Sequence, residues 1–270
     1  MSVALSQIES SLSLFTEGIA GRFIHLKEIP EFNPRLPLKV EALTIHQTRD
    51  SILLPAELED GYEGDYRFLV MEQLGYRECG TFHFSIDTAK SLLPSLAKRE
   101  PSRKEYGPRT GEYQMLFSHF SSPYLAERLF DLLENQRIKG HLFQNYPGLT
   151  KHLIRYQHRR SEDEFDRNDL FQYAENWSLQ NVTQLPNALP RSWTSLLEKM
   201  LDLQRCAGNS DHSVYDTVTA LEEIYDTIEQ EYALEIDSGI KAKDESLLDW
   251  LGREERLEEW QEELEELKDQ

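Results

Sequence analysis

The chain has 270 residues, 39% of them hydrophobic, enough to bury one large core or two modest ones. No window approaches the roughly 18 uninterrupted apolar residues of a membrane helix, and no basic-then-apolar leader opens the sequence, so a cytoplasmic globular protein is expected. Lys and Arg number 29 against 49 Asp and Glu, and the net charge of −20 disfavours nucleic acid and anionic membrane as partners while favouring a basic protein surface.

Taken in chain order, Leu5, Ile8, Leu12, Phe15 and Ile19 recur at steps of three and four and predict a first helix closed by Gly21. Arg22-Phe23-Ile24-His25-Leu26 reads as a strand, Pro30, Pro34 and Pro37 as a loop, and residues 38–43 and 51–54 as two more short strands. An acidic turn at Glu59-Asp60-Gly61 leads into a helix over 65–78, stopped by Gly80. Beyond a basic, proline-broken stretch at 101–108, helices are predicted over 113–120, 123–142, 148–159, 167–177, 193–205 and 213–234. The last of these carries the stripe Val214, Val218, Leu221, Tyr225, Ile228 and Tyr232 behind a cap at Ser213.

Charge is uneven: residues 98–109 and 151–160 are basic, and the C-terminal run is strongly acidic. In that run Leu247, Leu251, Leu257, Trp260, Leu264 and Leu267 interrupt Glu and Asp, either as a solvated helix with one sticky edge or as a linker that orders against a partner. The expected organisation is a mostly helical domain over 1–237 and an acidic linker or helix over 238–270. The expected fold class is mainly α, a helical domain with a small β element near the N-terminus, its core open to reading as a degenerate zincin-like one.

That last reading comes from the helix over 65–78. A zinc hydrolase sets two imidazoles four residues apart on such a helix, with a glutamate beside the first as general base. Here the corresponding positions are Glu72, Gln73 and Tyr76. Tyrosine is a poor zinc ligand at neutral pH, and an amide cannot take a proton from bound water, so an amphipathic core helix with Phe68, Leu69 and Tyr76 inward is expected, and no metal. Glu134, on a second helix, stands where a third ligand would come from. Beside Glu72 it would suit a hard cation better than zinc, and the plainer alternative is an ion pair with Arg137.

His141, His152 and His158 do not share a helical face. Cys79 and Cys206 lack metal-type spacing and are expected to be free thiols. No phosphate-binding glycine loop, dinucleotide turn or serine nucleophile elbow occurs in the sequence.

Two segments carry a family resemblance. One is Tyr66 through Phe82, ending Glu78-Cys79-Gly80-Thr81-Phe82; the other is Leu129 through Leu149, with Glu134, Arg137-Ile138 and Tyr146-Pro147-Gly148-Leu149. Both resemble the N-terminal region of the CbbO/NorD family, and the acidic stretch Leu248-Asp249-Trp250-Leu251-Gly252-Arg253-Glu254-Glu255-Arg256-Leu257 resembles the linker that follows it there. The resemblance marks Glu78, Gly80, Thr81, Phe82, Arg137, Tyr146, Pro147 and Gly148 as landmarks.

It implies an adaptor that works with a hexameric MoxR-type AAA+ ATPase, CbbQ-like, on inhibited Rubisco, or a NorD-like accessory protein for nitric oxide reductase maturation. In that family a von Willebrand factor A domain follows the linker and holds Mg²⁺ through Asp-x-Ser-x-Ser. Asp244-Glu245-Ser246-Leu247-Leu248 only begins that way. The module, its Mg²⁺ and the contact with Rubisco are therefore expected outside these residues, and this chain is expected to hold no cofactor and to catalyse nothing itself. A metal-dependent hydrolase built on the 66–82 helix and Glu134 is the competing expectation, and a purely structural helical domain a third.

Overall fold

The computed structural model describes residues 3–29, 51–58, 63–101, 111–149, 170–179, 189–206 and 212–232. The expected loop at 30–37, the strand over 38–43, the turn at 59–61, most of the helix over 148–159 and the acidic run over 238–270 lie outside these residues. What is described is mainly helical, with a small β element near the N-terminus.

Helix α1 (Leu5–Ala20) buries Leu5 and Leu12, while Ile8, Phe15 and Ile19 stay half-buried. Gly21 ends it as predicted. Its φ of 66° is left-handed, and its N–H returns to the Glu17 carbonyl at 2.9 Å. That cap also moves the next strand. The expected strand over 22–26 begins three residues later, as β2 (His25–Ile29), because the chain is still turning after Gly21 and first meets a partner where His25 faces Ser51.

Strand β2 runs parallel to β3 (Ser51–Pro55), whose five residues are all buried. A separate antiparallel pair joins β1 (Val3–Ala4) to β4 (Glu57–Leu58).

Helix α2 (Glu63–Glu78) lies between β3 and α6 (Pro123–Asn145). Phe68, Leu69 and Tyr76 point inward as predicted, each no more than 2% exposed. Gly75 sets the spacing with α6: a Cβ there would stand 2.5 Å from Ile138 Cγ2. After α2, Gly80 takes φ 73° and the chain makes a 3-10 turn at Thr81–His83.

Helix α6 is the axis of the domain. It opens with Pro123 in its first turn and a Ser122 side chain accepting from the Leu125 N–H at 3.3 Å. Leu129, Phe130, Leu133 and Ile138 are fully enclosed, and its polar residues Glu134, Gln136 and Arg137 are buried with them. Around it pack α8 (Arg191–Cys206), α7 (Leu170–Leu179) and α5 (Glu112–Ser118). Two short helices, α3 (Ile86–Leu92) and α4 (Pro94–Lys98), were not among the sequence expectations.

Helix α9 (Val214–Tyr232) buries Val214, Val218, Leu221, Tyr225 and Ile228 along the expected stripe. Its start is a reciprocal cap: Ser213 Oγ accepts from the Tyr215 N–H at 3.3 Å, and Asp216 accepts from the Ser213 N–H at 2.7 Å.

Candidate functional site

The three side chains at the hydrolase-like positions of α2 face different neighbours. Gln73, fully buried, pairs with the backbone of Leu53 in β3: its Oε1 accepts from the Leu53 N–H at 2.9 Å, and its Nε2 donates to the Leu53 carbonyl. Along the same edge, Arg77 Nη2 donates to Ser51 O at 2.7 Å and Tyr66 Oη to Pro55 O at 3.0 Å.

Residues 51, 53 and 55 alternate along one edge of a strand, and 66, 73 and 77 lie along one helical face, so α2 supplies in side chains the ladder that a neighbouring strand would supply in backbone. This satisfies polar groups that burial would otherwise leave costly.

Tyr76, four residues after Glu72, donates its hydroxyl to Asn135 Oδ1 on α6. Burial pushes its pKa well above the ordinary value, and the charges of Glu72, Asp131 and Glu134 push the same way. The hydroxyl stays protonated and acts as a hydrogen-bond donor. Glu72 itself is half-buried.

Glu134 is the centre of a buried joint. Its Oε1 accepts from Arg137 Nη2 at 2.6 Å and from the Thr81 hydroxyl, and its Oε2 accepts from Arg137 Nε at 2.8 Å and from the Thr217 hydroxyl at 2.6 Å. Arg137 Nη2 also reaches the Cys79 carbonyl at 3.1 Å. Tyr113 Oη donates to Thr81 O at 2.6 Å. The pair therefore ties α6 to the turn after α2 and to α9, with α5 one bond away.

Spacing of three on a helix makes the pair possible, and bidentate guanidinium geometry makes it strong. Burial alone would raise the Glu134 pKa, but the Arg137 charge and the hydrogen bonds from Arg137, Thr217 and Thr81 outweigh it, and the net direction is downward. The ion-pair alternative for Glu134 is the one the structure adopts.

A second contact between the same two segments lies nearer the surface. Tyr146 Oη sits 2.9 and 3.0 Å from the two carboxylate oxygens of Glu78, and His141 Nε2 is 3.5 Å from Glu78 Oε2. Phe82 packs beside Tyr76, ring centroids 6.4 Å apart, while Pro147 and Gly148 are exposed in a 3-10 turn at Pro147–Leu149. His152 and His158 lie outside the described residues.

Cys79 and Cys206 are both free and partly buried. Burial pushes the Cys79 thiol up to about 12, so it remains a protonated thiol.

Sequence reading missed Thr217, Tyr113 and Asn135 as members of this network. Thr217 carried a signal, a polar residue next to the apolar stripe of α9, but its partner lies 83 residues away.

Among the described residues no group of three or more His, Cys, Asp or Glu stands close enough to hold a metal ion. Comparison with protein-family models, with curated proteins and with solved structures found no match.

Proposed function

We propose that this chain is a non-catalytic docking domain of the CbbO/NorD type, which seats on a hexameric MoxR-type AAA+ ATPase, CbbQ-like, and couples it to the remodelling of inhibited Rubisco. One observation carries the reading. Five of the positions on which the resemblance rests meet across the two similar segments in two separate contacts, Thr81 with Glu134 and Arg137 in the core and Tyr146 with Glu78 nearer the surface. The two segments that carry the resemblance are thus packed against each other in one core, which suits a single docking module.

Three of the four positions a hydrolase would need are committed to the scaffold: Gln73 to Leu53, Tyr76 to Asn135 and Glu134 to Arg137. Such bonds favour a rigid module that works by binding. A net charge of −20 suits a basic partner surface. Contact with Rubisco belongs, on this reading, to a von Willebrand factor A module outside these residues. The remodelling partner places the site of action, on this reading, in the cytoplasm. Among the described residues no helix is long and apolar enough to cross a membrane.

The test is co-purification of the 270-residue chain with a MoxR-type ATPase of the same genome. Stable co-elution with the ring is expected. A well-folded chain that neither co-elutes nor alters ATP hydrolysis overturns the proposal, and stoichiometric zinc lost on Glu72→Ala would replace it with the hydrolase reading.

A further inference from the structure

We draw no further inference here: the strongest candidate, the acidic cluster of Glu72, Asp131 and Glu134 around Tyr76 between α2 and α6, carries nothing, because the unpartnered atom beside it, Asn135 Nδ2, is a donor unsuited to a cation and no metal-ligating group converges there among the described residues.

Discussion

Gln73 on α2 holds Leu53 on β3 by both of its backbone polar groups, accepting from the N–H and donating to the carbonyl. A side-chain amide can do both at once, with separate donor and acceptor atoms, whereas a carboxylate has no proton to give at neutral pH. Gln73→Glu therefore leaves the Leu53 carbonyl unpaired and buries a charge, and Gln73→Leu leaves both Leu53 groups unpaired. Each is expected to lose about 2–4 kcal/mol in denaturant unfolding, on the scale of one or two unsatisfied buried groups. Gln73→Glu, which would restore a general base if this were a damaged hydrolase, is expected to bind no stoichiometric zinc by metal analysis.

Removing one member of the Glu134–Arg137 pair strands the other in the core. Glu134→Leu and Arg137→Met are each expected to cost about 3–5 kcal/mol. The double variant should recover part of that loss and not all, because the Thr81 and Thr217 hydroxyls and the Cys79 carbonyl lose partners too. A double-mutant cycle by urea unfolding measures the coupling.

The same pair sets an acid limit. Against the upward push of burial, the Arg137 charge and hydrogen bonds hold the Glu134 carboxyl below its ordinary value of 4.5 in the folded chain, so its contribution is fully present above that value and is lost as pH falls through the lower folded value. Melting temperature followed from pH 6 downward should drop below about pH 4.5, and Glu134→Gln, although less stable throughout, should show a shallower drop.

At Gly75 two effects oppose. Alanine would gain about 1 kcal/mol of helix propensity, but its Cβ would stand 2.5 Å from Ile138 Cγ2, a β-branched side chain with no exposed surface into which to move. Overpacking costs about 1–3 kcal/mol, so Gly75→Ala is expected to be destabilising. Adding Ile138→Ala to it should cost less than Ile138→Ala costs alone, which thermal unfolding of the three variants would show.

Local signals were legible where one element decides the outcome. The left-handed Gly21 closing α1, the Ser213 cap and the stripe of α9 all depend on residues within a few positions of each other. The start of β2 was misplaced because pairing with Ser51, and not the alternation of residues 22–26, decides where the ladder begins. The short α3 and α4 had a signal in Pro94 at the first turn of α4, but helices of seven and five residues have too few turns to show a period.

In the joint, Glu134 and Arg137 were readable as a pair from their spacing of three. Thr81 and Thr217 were not, because a buried carboxylate's remaining lone pairs are filled by whichever elements the fold brings there.

Cys79 offers a chemical check on the same region. With its thiol pushed up to about 12 by burial, almost none of it is thiolate near neutrality. A thiol reagent at pH 8 is expected to modify Cys79 in the native chain far more slowly than a model thiol, and at the ordinary rate once the chain is unfolded. Peptide mapping after a timed pulse distinguishes it from Cys206.

The docking reading is tested most directly by titrating the 270-residue chain into a purified MoxR-type hexamer while following co-migration and ATP hydrolysis. The account predicts saturable binding to the ring with a change in hydrolysis rate. A chain that melts cooperatively yet neither migrates with the hexamer nor changes its rate at any ratio would contradict it.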